Sequence, residues 1–132
     1  MLKITKLLGF FIFPVFVILW NAIFVMTGLY DKFLWLDIPM HFIGGIAVAY
    51  SFLLTLDYLH REKYLKLNKL FLFIFSVSLA SLFAVGWEFY EFLTQLFTGI
   101  IYQPSIADTM KDLFLGLLGG ASASLIFILR KN

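Results

Sequence analysis

Six ionisable residues fall in pairs one helical turn apart: Asp37 and His41 at i, i+4, Glu88 and Glu91 at i, i+3, and Asp108 and Asp112 at i, i+4. Each spacing puts both side chains on one face of a helix. Carboxylates mixed with an imidazole suit a hard or borderline divalent ion, so Mg²⁺, Mn²⁺, Zn²⁺ and Ca²⁺ all match this donor set. Carboxylate and histidine side chains projecting inward from neighbouring helices are a known way to build a metal site. A cation held by these six residues would polarise a phosphoryl or ester oxygen and make a bound water acidic. One spare carboxylate, Glu88 or Glu91, would then act as general base, and Lys111 would neutralise a phosphate. Thiol chemistry is excluded, since the chain has no cysteine. No serine has a convincing base partner, and no glycine-rich phosphate loop follows a strand.

The elements that must position these pairs follow from composition. Of 132 residues, 62% are hydrophobic, 20% aromatic and 14% charged, with a mean hydropathy of +0.97. A soluble domain has roughly 45–50% apolar and about 25% charged residues, so a soluble globule, a disordered tail and a disulfide-stapled secreted domain are all excluded. A membrane helix needs about 20 mostly apolar residues. Four such runs occur, at about 7–29, 38–56, 70–97 and 108–129, broken by Tyr30-Asp31-Lys32, by Asp57 to Lys69, and by Thr98-Gly99 through Pro104-Ser105. Pro39 stands where the second helix begins, a position that tolerates a missing N–H. The first run is longer than a secretory h-region of about 7–15 residues and no small-x-small cleavage site follows it, so it reads as an anchor. The expected fold is all-α, a four-helix transmembrane bundle forming one domain over 1–132, since the connections are too short for a separate soluble unit.

Charge is polarised along this bundle. Lys3, Lys6, Arg61, Lys63, Lys66, Lys69, Arg130 and Lys131 lie at the termini or in the second connection, whereas only Lys32 and Lys111 lie on the other side. The positive-inside rule therefore places both termini in the cytoplasm of a prokaryotic plasma membrane. Tyr30, Trp35 and Tyr102 fit the outer interface, and Tyr58 and Tyr64 the inner one. Asp57 and Glu62 are cytoplasmic, while Asp31, Asp37, Glu88, Glu91, Asp108 and Asp112 belong to the outer half. At about 1.5 Å rise per residue, His41 and Asp112 lie about 6 Å in from the outer helix ends, Glu91 about 9 Å and Glu88 about 13 Å. The same faces continue inward as small or polar stripes: Gly44, Val48, Ser51 and Thr55; Ala84 and Ser81; Gly116 and Gly120 with Gly119 and Ala123. Such stripes are the surfaces on which membrane helices approach closely. Asn21 of the first helix faces the same centre.

A charge at the bilayer centre costs about 2.5–3.5 kcal/mol on insertion scales. Five carboxylates near one level, opposed by at most Lys111 and Lys32, require either protons or a cation among them. Blander roles stand beside this one. Asp108 and Asp37 are candidate N-caps, His41 would serve as a neutral interfacial histidine on a carboxylate, Gly116 and Gly120 as a packing motif, and Asp31-Lys32 as a solvated loop.

The stretch Asp37-Ile-Pro-Met-His41-Phe42-Ile-Gly44, then Trp87-Glu88-Phe-Tyr-Glu91, then Asp108-Thr109-Met-Lys-Asp112-Leu-Phe-Leu-Gly116 resembles the YjdF-like family of small inner-membrane proteins. Order, spacing and placement on successive helices match over about Asp37 to Gly120, with a shorter N-terminus than is typical. A more distant similarity is to VanZ-like proteins, from which Asp112 departs by replacing an asparagine. The resemblance implies a helical inner-membrane protein with this acidic and histidine centre, and it implies no reaction.

Three functions compete: a metal-dependent hydrolase or transferase acting on a lipid or lipid-linked phosphate at the outer leaflet, a protein that binds or transports protons or cations, and an accessory subunit whose polar centre sets helix register. Membrane lipids are the expected partners and nucleic acid is not. Below Glu88 the inner halves offer only Ser51, Thr55, Ser76, Ser78, Ser81, Ser122 and Ser124, a poor path for conduction.

Overall fold

The computed structural model describes residues 4–130, so Lys3 and Lys131 of the basic flanks lie outside the described residues. Helices α1 (Ile4–Phe10), α2 (Ile12–Met26) and the short α3 (Leu29–Lys32) lead through a 3-10 turn at Leu34–Leu36 into α4 (Asp37–Arg61), and α5 (Lys69–Thr98) and α6 (Ile106–Arg130) follow. Among the described residues every regular element is helical. Three stretches, Leu34–Arg61, Lys69–Thr98 and Ile106–Arg130, are long and apolar enough to cross a membrane, and α1 with α2 makes a fourth if the bent pair is one span.

The N-terminal run is where the expected continuous helix differs from the observed one. It breaks at Phe11 with a bend of 42°. Pro14 supplies the cause, because it has no N–H for the carbonyl of Phe10 four residues back and its ring crowds that carbonyl. The run then stops at Met26, short of Leu29, where the Thr27 hydroxyl donates to the Ile23 carbonyl at 2.7 Å and Gly28 takes a left-handed φ of 66°. At its other end α4 runs on to Arg61, past the expected Leu56, with Leu56, Asp57 and Tyr58 buried.

Neither aspartate expected as a cap is one. The position before α4 is Leu36, with no side-chain cap bond. Before α6, Ser105 Oγ accepts from the Asp108 N–H at 3.1 Å, so serine caps and Asp108 lies inside the first turn. Asn68 caps α5 by accepting from the Phe71 N–H at 2.7 Å.

Helix α4 is central, packing against α2, α5 and α6, most extensively against α6. In a bilayer helices gain nothing by leaving water, so close van der Waals packing must hold them. Small residues permit it: a Cβ on Gly45 would run into the Gly116 carbonyl and one on Gly119 into the Phe42 carbonyl, while Ala80 and Ala84 of α5 close on Gly120 and Gly116. On α6 the glycines of the stripe make the contact, whereas on α4 Gly45 does so in place of Gly44, which turns toward Val17 of α2. Deeper in the bundle, Ser76 and Ser124 hydroxyls meet at 2.8 Å between α5 and α6. Leu53, Leu56 and Leu72 fill the end of the bundle away from His41, where Lys6 sits 4.8 Å from the Tyr58 ring centroid. Leu82, Phe89, Phe114 and Leu129 remain exposed, as lipid-facing side chains should be.

Candidate metal centre

The tight crossing positions the site. His41 is one turn before Gly45 on α4, Asp112 one turn before Gly116 on α6, and Glu88 one turn beyond Ala84 on α5. Where those small residues touch, the polar side chains next to them converge. His41 Nε2 lies 3.1 Å from Asp37 Oδ1 and 3.9 Å from Asp112 Oδ2, and its Nδ1 lies 3.8 Å from Glu88 Oε1. Two sets of three candidate ligand atoms therefore share one imidazole: Asp37, His41 and Asp112, and His41, Glu88 and Glu91, the atoms of each set within 4.8 Å of one another.

The two sides of the imidazole differ in what compensates their charge. Lys111 Nζ sits among three aspartates, 2.6 Å from Asp108 Oδ1, 3.3 Å from Asp37 Oδ2 and 3.3 Å from Asp112 Oδ1. The glutamates have neutral donors instead. Gln103 Nε2 donates to Glu88 Oε2 at 2.7 Å and to the Glu88 backbone carbonyl at 3.0 Å, and Trp87 Nε1 donates to Glu91 Oε1 at 2.8 Å. Gln95 fixes the connection that carries Gln103 by accepting the backbone N–H groups of Tyr102 and Gln103, each at 3.0 Å.

Among the described residues two fully buried carboxylate oxygens have no hydrogen bond, Glu88 Oε1 and Asp112 Oδ1, on residues only 6% and 3% exposed. The Asp112 oxygen is within ion-pair reach of Lys111 without hydrogen-bond geometry. A buried polar atom left unsatisfied costs about 1–3 kcal/mol, more when charged, so Glu88 Oε1, which has no ammonium beside it among the described residues, calls for a cation or a proton. Toward the surface the side chains of Asp37 and Lys111 are 29% and 37% exposed and form the mouth.

Of the six residues singled out in the sequence, Asp37, His41, Glu88, Glu91 and Asp112 meet around the imidazole, and Asp108 stands outside both ligand sets, paired with Lys111. Asn21 reaches the centre only indirectly: its Oδ1 accepts from the Tyr30 hydroxyl at 2.6 Å. Burial and then the charges of Asp37 and Glu91 push the Tyr30 phenol above its ordinary pKa, which keeps it a neutral donor. Sequence reasoning missed Tyr30, Trp87 and Gln103 as parts of the site. Trp87 alone carried a signal, being i, i+4 to Glu91; Gln103 sits in a connection with no periodicity.

No curated protein and no solved structure gives a match to this chain. A family model described as a predicted membrane protein, DUF2238, matches residues 2–132, so the chain belongs to that family, which is the YjdF-like family its motifs resemble.

Proposed function

We propose that the protein is a plasma-membrane protein, both termini cytoplasmic, whose outer-half centre around His41 holds one divalent cation and uses it on a lipid or lipid-linked phosphate. The observation that carries this reading is Glu88 Oε1, buried and without a hydrogen bond 3.8 Å from His41 Nδ1, with Asp112 Oδ2 3.9 Å from Nε2 on the other side of the ring. Around them stand Asp37, Glu88, Glu91 and Asp112 with Lys111 as the one ammonium among the described residues at the site. Imidazole favours a borderline ion and carboxylates a hard one, so Mn²⁺ and Zn²⁺ fit the mixture better than Mg²⁺ or Ca²⁺.

When bound, such an ion supplies Lewis acidity to a phosphoryl oxygen and to water. The chain's own groups do the rest. Lys111 at the mouth meets the anionic group, Asp37 orients His41, and a carboxylate not engaged by the ion takes the proton from the attacking water. The VanZ-like similarity, carried by Asp37 to Phe42, the glutamate-bearing helix and Asp108 to Gly116 with Asp112 in place of an asparagine, adds no chemistry. Transport draws less support: between the centre and the Ser76–Ser124 pair the interface is Gly45, Ala80, Ala84, Gly116 and Gly120, with no polar side chain among them.

The test is metal analysis of protein purified in detergent, followed by phosphate release from a lipid phosphate monoester in vesicles. About one Mn²⁺ or Zn²⁺ per chain, lost in His41→Ala together with turnover, is expected. Protein that binds neither ion when both are supplied contradicts the metal reading, and metal-loaded protein inert toward lipid phosphates contradicts the enzymatic part alone.

A further inference from the structure

The two nitrogens of His41 face two differently compensated sets of acids, and the difference decides where an ion would sit. We propose that the cation binds on the Nδ1 side, held by His41 Nδ1, Glu88 and Glu91, and that on the Nε2 side the Lys111 ammonium occupies the place of a second ion among Asp37, Asp108 and Asp112. This inference rests on the metal reading above and names the ligands within that centre.

Three observations converge. First, Lys111 Nζ lies within 2.6–3.3 Å of a carboxylate oxygen from each of three aspartates, so the Nε2 side already has its positive charge. No lysine or arginine among the described residues pairs with Glu88 or Glu91, whose donors, among them Gln103, Thr109 and Trp87, are neutral. Second, each glutamate is fixed through one oxygen, Glu88 by Oε2 and Glu91 by Oε1. The other oxygen of each is left over, and for Glu88 that oxygen is buried and unbonded.

Third, the distances on the two nitrogens differ in kind. Nε2 to Asp37 at 3.1 Å is hydrogen-bond length, whereas Nδ1 to Glu88 Oε1 at 3.8 Å is too long for one. Donors that share an ion at about 2.0–2.2 Å each stand about 3–4 Å apart. The imidazole then has its Nε2–H on Asp37 and a free lone pair on Nδ1, the carboxylate–histidine–metal arrangement in which the outer carboxylate sets the tautomer. Three protein ligands leave positions open for water and substrate. With both glutamates engaged, Asp112 stays outside the ion's ligands, its Oδ1 3.3 Å from Lys111 Nζ.

Titration of the detergent-solubilised full chain with Mn²⁺, read by calorimetry and by the spin signal of free ion, separates the sides. One ion per chain is expected for the natural sequence. Glu88→Gln and Glu91→Gln should each weaken it by more than about 100-fold, beyond what loss of an outer partner brings, whereas Asp112→Asn should keep one ion. Lys111→Met should raise the stoichiometry to two, a gain that misfolding cannot produce. An ion retained in Glu91→Gln and lost in Asp112→Asn overturns the assignment of the side, and a single ion in Lys111→Met overturns the role of the ammonium. Failure of the natural sequence to bind any ion is the separate failure of the metal reading itself.

Discussion

In the proposed centre Glu88 and Glu91 would hold an ion only if something keeps them still, and the groups that do so are neutral. Gln103 reaches Glu88 from the α5–α6 connection, and that connection is itself tied to α5 through Gln95. Gln103→Leu should therefore leave the fold intact and weaken Mn²⁺ binding by about 10–100-fold, the loss expected when an outer partner of a ligand is removed; calorimetry measures it, and an unchanged affinity would exclude Gln103 from the site. The paired spacing made the five residues around the imidazole legible, because residues one helical turn apart share a face. Gln103 was not legible, since a residue in an irregular connection reports its position only through tertiary contacts. Asp108 had the right spacing and still lies outside both ligand sets, since Lys111 one turn away holds it.

At the scale of elements, the α4–α6 contact governs the site, for the residues that allow it are one turn from His41 and Asp112. Gly119→Ala should force α6 away from the Phe42 carbonyl and cost about 1–3 kcal/mol, the range for overpacking. Gly86→Ala, whose added Cβ meets nothing within 4 Å, should leave thermal unfolding in detergent unchanged. Equal melting temperatures for the two variants would contradict the close-contact reading. The Ser76–Ser124 pair is a second holdfast, and a double-mutant cycle with alanine should give a coupling of about 0.6 kcal/mol, typical of hydrogen bonds between membrane helices. Apolar run length made α5 and α6 readable nearly to their ends. The bend at Phe11 was not read, although Pro14 announces it, because a run of apolar residues scores the same straight or broken.

For the whole molecule, the basic residues Lys6, Arg61, Lys63, Lys66, Lys69 and Arg130 collect at the end of the bundle opposite the His41 centre, together with Asp57 and Glu62. By the positive-inside rule that polarity predicts a cytoplasmic basic end. The chain has no cysteine, so single cysteines report without background. Lys63→Cys should react with a membrane-impermeant maleimide only after the cells are opened, and Ile101→Cys in intact cells; the reverse pattern would invert the topology and put the centre on the cytoplasmic side. The most direct test of the centre itself is pulsed electron paramagnetic resonance of Mn²⁺ bound to the purified full chain, which reads nitrogen coordinated to the metal. The expected result is a directly coordinated imidazole nitrogen that disappears in His41→Ala, and Mn²⁺ bound with no nitrogen coupling in the natural sequence would contradict it.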